Sequence, residues 1–158
     1  MKASELLYTV LGLLLLACGC RDAKLVSSSM TPTIQPGEIV SLDYSAYALS
    51  APGRWDVVGF EPPMFTNQIW LMRVVGLPGE TVLINRGTLT IDGKPTILPT
   101  HMTNVTYTTT IGTFGVASAF IIPKGAYFVL GDNSINSNDS RFWGALPRAS
   151  IVGKVRNK

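Results

Sequence analysis

The chain has little that could staple or metallate a fold: two cysteines and one histidine among 158 residues. Both cysteines, Cys18 and Cys20, fall at the end of an apolar leader, so the part expected to fold is left without a thiol for a disulfide framework or metal cage. Zinc and redox chemistry drop out with them, and no cofactor is expected. Charge is scarce too. It makes up 15% of residues, and 13 basic against 10 acidic side chains give a net +3 with no Lys/Arg block. Tracking a phosphate backbone takes such a block, so nucleic acid is excluded as a partner. No long amphipathic helical pattern and no internal repeat is present.

What is present begins with the leader. Lys2 precedes the apolar stretch Leu6 to Ala17, and small residues follow, which is the layout of an export signal. As a helix, Leu6 to Gly19 reaches about 21 Å, at roughly 1.5 Å per residue, against a hydrocarbon core of roughly 30 Å, so it is short for a span. The run Leu15-Leu16-Ala17-Cys18 resembles a bacterial lipobox, which makes Cys18 a candidate for lipidation and would leave the domain anchored rather than spanning. An uncleaved signal-anchor is the alternative. Both put residues 1–20 at the membrane and a single domain, 21–158, beside it on the outer face.

From Glu38 onward, short apolar or alternating runs are punctuated by Gly, Pro and Asn, the pattern of strands and turns. Strands are expected at Glu38 to Tyr44, Val57 to Phe60, Ile69 to Val75, Thr81 to Ile84, Thr88 to Ile91, Val105 to Thr110, Ala119 to Ile122, Tyr127 to Leu130 and Ile151 to Val155. Asn85-Arg86-Gly87 and Asp92-Gly93 supply the positive-φ residues of tight turns, so Thr81 to Pro95 reads as a hairpin and its exit. The expected class is all-β, with antiparallel sheets in a barrel or sandwich preceded by one short hydrophobic helix. Residues 100–117, rich in Thr and Gly, are the least patterned and read as a loop-bearing insertion.

Ser27-Ser28-Ser29-Met30-Thr31-Pro32-Thr33 sets hydroxyls just beyond the leader and ahead of the Pro36-Gly37 turn. Without context, three serines there are a linker. The context is two further segments: Arg73-Val74-Val75-Gly76-Leu77-Pro78-Gly79-Glu80, and the box from Gly131-Asp132-Asn133 through Ser137-Asn138-Asp139-Ser140-Arg141 to Trp143-Gly144. In this order and spacing the three resemble the S-x-S-M-x-P-T, R-V-V-G and G-D-N-R-D-N-S-x-D-S-R-x-W-G motifs of type I signal peptidases. The resemblance covers Ser27 to Gly153. The conjugation maturation peptidases and self-cleaving repressor domains are similar in fold, but the Gly131 to Gly144 box and the leader favour the signal peptidase branch.

The resemblance implies a membrane-bound serine endopeptidase on the extracytoplasmic, periplasmic face of the bacterial inner membrane, with signal-peptide-bearing precursors and membrane lipid as partners. Ser29 takes the place of the nucleophile and oxyanion N–H, and Ser27 that of the oxyanion hydroxyl; such donors stabilise charge that exists only in the tetrahedral state. Ser137 matches the serine that hydrogen-bonds the base, Asp139 and Arg141 a bracing ion pair, and Arg73 and Asp132 framework positions. One departure governs the mechanism. The family's base, a lysine or in some branches a histidine, is here Met72, and a thioether takes no proton from a serine. Met72 would pack in the slot of the lysine stem and preserve shape without chemistry. Ser134 and Ile135 also stand where the family has Arg-Asp, which is expected to remove an ion pair and make that corner less polar. His101, the single histidine, and Lys124, in a turn, are weak substitutes for the base. The alternative to a protease is therefore an inactive relative that binds extended peptides or signal sequences at the membrane surface.

Overall fold

A computed structural model describes residues 19–62, 67–108, 112–116 and 118–156. The expected leader helix and Cys18 lie outside these residues. Among those described, no helix is long and apolar enough to cross a membrane.

The fold is mostly β and antiparallel, in two open sheets rather than a closed barrel. The strands are β1 (Cys20–Lys24), β2 (Ile39–Asp43), β3 (Val57–Phe60), β4 (Trp70–Gly76), β5 (Thr81–Asn85), β6 (Thr88–Ile91), β7 (Lys94–Pro95), β8 (Phe120–Ile121), β9 (Ala126–Leu130), β10 (Leu146–Pro147) and β11 (Ile151–Val155). The larger sheet runs β1-β2-β11-β3-β4-β9-β10 and the smaller β7-β6-β5-β8. The one α-helix among the described residues, α1, is a single turn at Ser140–Trp143.

Both tight turns form as their residues require. Arg86 and Gly87 join β5 to β6, Asp92 and Gly93 join β6 to β7, and all four have positive φ. Two such residues in succession make the mirror-image turn whose twist suits a hairpin. The expected hairpin and exit thus become a three-stranded meander.

Three differences from the sequence reading have physical causes. Cys20, assigned to the leader, opens β1, so the fold does contain a thiol; this strand, Cys-Arg-Asp-Ala-Lys, has no apolar alternation and is held by backbone pairing to β2, from Cys20 opposite Asp43 to Lys24 opposite Ile39. Val105 to Thr108 forms no regular strand. Val105 and Tyr107 do point into the core, but ladder contact is limited to a parallel bridge between Thr106 and Asn133. The insertion is also less loop-like than expected, because Met102, Val105 and Tyr107 join Val75, Val82, Ile84, Phe128 and Leu130 in the cluster packed between the two sheets.

β4 carries the centre of the larger sheet. Leu71 faces a cluster with Leu25, Met30, Ile34 and Leu42, whereas Met72 and Val74 face another with Val58, Phe60, Tyr127 and Val129. The period of two along β4 delivers neighbouring side chains to opposite faces. Burial on both sides explains why nearly every residue from Leu71 to Gly76 is buried and why the segment reads as a continuous apolar run interrupted by Arg73.

Candidate functional site

Ser29 sits in a tight turn between β1 and β2. The turn closes with Thr31 N–H donating to Ser28 O and Ile34 N–H to Met30 O, at 3.2 and 3.0 Å. Met30 and Ile34 are fully buried and pin it to the core below Leu71. The Gly131 to Gly144 box holds it from the other side. Asn133 N–H donates to Ser29 O at 2.8 Å, and Asn133 Nδ2 donates to Ser28 O at 3.1 Å. The approach is close enough that a Cβ on Gly131 would stand 2.6 Å from Ser29 O and 2.3 Å from Ser137 Oγ. Only glycine fits between them.

Ser29 is 8% exposed, and its hydroxyl lies 2.9 Å from that of Ser27. Ser29 N–H points toward Ser27 Oγ at 3.5 Å. Among the described residues no side-chain nitrogen or carboxylate hydrogen-bonds Ser29 Oγ. Ser29 and Ser27 open into a groove of about 520 Å³. It is further lined by Ala23 to Val26 at the end of β1, by Gln68 to Met72 at the start of β4, and by Asn136 and Asn138 of the C-terminal box. Met72 therefore shares the groove with Ser29, and it is 2% exposed. His101 is exposed on a 3-10 turn, and neither it nor Lys124 lines the groove.

Ser137 is the counterpart of this arrangement. Its Oγ is buried and has no hydrogen-bond partner. A buried hydroxyl in that state carries a desolvation cost of about 1–3 kcal/mol. Two further buried hydroxyls of the site, Thr31 Oγ1 and Tyr107 Oη, share this state; Ser137 differs in being the position that the motif pairs with the base.

Two buried ion pairs brace the site. Arg73 donates through Nε to Asp132 Oδ1 at 2.8 Å and through Nη2 to Asp132 Oδ2 at 2.6 Å, with both side chains fully buried. Thr33, from the serine turn, also donates to Asp132 Oδ2, and Arg73 Nη1 reaches Trp55 O at 2.8 Å. Asp139 and Arg141 make a second two-point pair, at 2.8 and 2.9 Å, while Asp139 caps α1 by accepting from Arg141 N–H. Asp139 further accepts from Gly131 N–H at 3.1 Å, which ties this pair to the strand end beside Ser29. Between the two pairs lies Tyr107, whose phenol is pushed well above its ordinary range by burial and then by the charge of Asp132.

The corner of Ser134 differs from the expectation of lower polarity. Ser134 Oγ accepts from Arg141 Nη1 at 2.8 Å and from Thr108 N–H at 3.0 Å, and Ser134 O accepts from Arg141 Nη2 at 2.6 Å. A small hydroxyl plus a carbonyl thus engage the guanidinium face that Asp139 leaves over. Ile135, beside it, is 70% exposed and asks for no polar partner.

Thr33, Asn133, Tyr107 and Lys24 belong to the site or its groove without having been singled out in the sequence. Thr33 could have been found, as the last residue of the serine motif. Asn133 acts through a contact with Ser28, 105 residues away, Tyr107 lies in an insertion without pattern, and Lys24 lies on a strand whose own side chains carry no strand signal.

Comparison with known proteins accords with this geometry. The family model for signal peptidases, peptidase S26, matches residues 3–158. The chain is 34% identical over 155 residues to a probable signal peptidase I-1 from Synechocystis sp., covering 91% of this chain and 73% of that one. It is 34% identical over 140 residues to signal peptidase I V from Bacillus subtilis, covering 85% and 82%. Among solved structures, a signal peptidase I from Enterococcus faecalis superposes with a TM-score of 0.54 at 32% identity, over 66% of this chain and 97% of that chain.

Proposed function

The chain belongs to the signal peptidase family, peptidase S26, and on that premise we propose that its Ser29 groove receives signal peptides of exported precursors and holds them without the family's lysine-assisted cleavage. The residues preceding β1 tether the domain to the bacterial inner membrane, through lipidated Cys18 or as an uncleaved anchor, and the domain that begins with β1 at Cys20 lies on the extracytoplasmic face. The groove lining includes extended chain of β1 and β4, and β1 ends its sheet with one edge unpaired by any described strand. A peptide added there as a further strand gains main-chain hydrogen bonds whatever its sequence.

The observation that carries the reading is the pairing of Met72, in the groove, with the partnerless Ser137 hydroxyl. Acylation of Ser29 needs its proton removed as Oγ attacks the scissile carbonyl, and the role Ser137 matches is to steady the amine that removes it. Met72 offers neither a basic lone pair nor a donor for Ser137. The residues that the family resemblance assigns to the oxyanion hole are still present and adjacent, with the Ser27 and Ser29 hydroxyls 2.9 Å apart, which supports retention of the oxyanion donors.

That retained pair favours a second reading, a slow Ser29-dependent endopeptidase, and one experiment separates the two. The full chain in membranes is incubated with a signal-bearing precursor, as the unmodified protein, Ser29→Ala, Met72→Lys and Met72→Lys/Ser29→Ala. The binding reading expects no Ser29-dependent product from the unmodified chain, precursor affinity within about twofold across the set, and cleavage raised by about 10²–10⁴-fold in Met72→Lys, the usual weight of a positioned general base. Cleavage by the unmodified chain that disappears with Ser29→Ala establishes the slow protease instead.

A further inference from the structure

Among the described residues that line the groove, one is ionisable, and it has no part in the acyl-transfer chemistry. Lys24 closes β1, paired through its backbone with Ile39, and its side chain is exposed on the groove wall. Among the described residues the rest of the groove lining is apolar or neutral and polar, with one cation and no carboxylate. Nor does a carboxylate elsewhere claim Lys24. Among the described residues no ion pair involves it. Asp22, two residues earlier on the same strand, stands outside the groove lining, and the Glu38 carboxylate accepts from Gln35 N–H at 2.9 Å.

We infer that Lys24 sets a preference for extended peptides bearing an Asp or Glu where they pass the end of β1. The inference rests on the proposed use of the groove. A strand laid along Ala23 to Ser27 carries alternate side chains past Lys24, in a groove whose lining also includes the apolar Leu25, Val26, Ile69, Trp70 and Leu71. An opposite charge there is attracted more strongly than in open solvent, a like charge is repelled, and a neutral amide of the same shape does neither. The lysine itself remains partly solvated, which limits discrimination to that of an exposed pair, about two- to fivefold.

The test scans a single Glu, and in parallel a single Gln, through a short Ala/Val-rich peptide and measures binding to the full chain in uncharged detergent micelles. At one or two adjacent positions the Glu peptide should bind about two- to fivefold more tightly than its Gln counterpart. The preference should vanish in Lys24→Gln, reverse in Lys24→Glu, and fade at high salt. Equal binding of Glu and Gln peptides at every position, or a preference that survives Lys24→Glu, overturns the inference while leaving the groove reading intact. If no peptide binds at all, the groove reading falls and takes this inference with it. Lys24→Gln is also assayed on vesicles containing anionic lipid; a loss of vesicle binding without change in Glu/Gln discrimination makes Lys24 a membrane contact and equally overturns it.

Discussion

A thioether and an ammonium can occupy the same volume, and at position 72 what separates them is only what they can exchange with a hydroxyl. Met72 packs with Val58, Phe60, Tyr127 and Val129, so the fold keeps its shape. Ser137, one of three buried hydroxyls without a partner among the described residues, stays unbonded. Asp43 shows the opposite situation, a polar side chain with more partners than its neighbours. It accepts from the Ser45 hydroxyl at 2.7 Å and from Arg156 Nη2 at 2.7 Å, and these bonds, Ser45's foremost, hold its carboxyl down at about 2. Its folded pKa lies below the unfolded value of about 3.9, so the native state binds its proton less readily and the stabilisation is complete above about pH 4. It is lost as pH falls toward 2. Thermal unfolding of the unmodified chain and of Asp43→Asn across pH 2 to 6 should therefore show a gap in midpoint that is widest near pH 6 and closes toward pH 2. A constant gap would mean that Asp43 acts through shape and not through its charge.

At the scale of elements, the insertion and the C-terminal box stabilise each other through Ser134. Its hydroxyl is shared by Thr108 N–H, from the insertion, and by Arg141, from α1. Ser134→Ala leaves two buried donors without an acceptor, one of them charged, and is expected to cost about 2–4 kcal/mol in chemical denaturation. Amide exchange should quicken first at Thr108 and its neighbours if the contact docks the insertion, and uniformly if it only supports α1. Most strands were legible in the sequence because Val57 to Phe60, Thr81 to Asn85 and Ala126 to Leu130 carry β-branched and aromatic residues between turn signals. The turns at Arg86-Gly87 and Asp92-Gly93 were legible because positive φ selects glycine. β1 was not, since its order comes from pairing with β2 and not from its own side chains. Ser134 was misjudged for a related reason: losing a charge from the motif says nothing of the hydrogen bonds that a hydroxyl and its own carbonyl regain with Arg141.

Over the whole molecule, three segments that the sequence sets far apart are fastened at one point. Asp132 lies just past the end of β9, Arg73 in the middle of β4 and half-buried Thr33 in the serine turn, and all three meet around a fully buried ion pair. The sequence marked Arg73 and Asp132 as framework positions, but not that their carboxylate also anchors the turn carrying Ser29; a Thr33–Asp132 contact across 99 residues has no local signature. Energetically the cluster should work by mutual dependence. The pair as a whole adds little, because desolvating both ions offsets their attraction, whereas removing one partner leaves a buried charge uncompensated. Asp132→Asn is therefore expected to destabilise by about 3–5 kcal/mol, and Arg73→Met alone by a similar amount. The double substitution should cost clearly less than the sum of the two, a coupling of about 1–3 kcal/mol in a double-mutant cycle followed by urea unfolding. Peptide binding at the Ser29 groove, measured well below the unfolding transition, separates bracing from bulk stability. If the cluster positions the serine turn, the double variant regains stability but not affinity, because Thr33 is left with a neutral amide oxygen in place of the carboxylate, a weaker acceptor no longer oriented by Arg73; full recovery of both would confine the cluster to holding the sheet together.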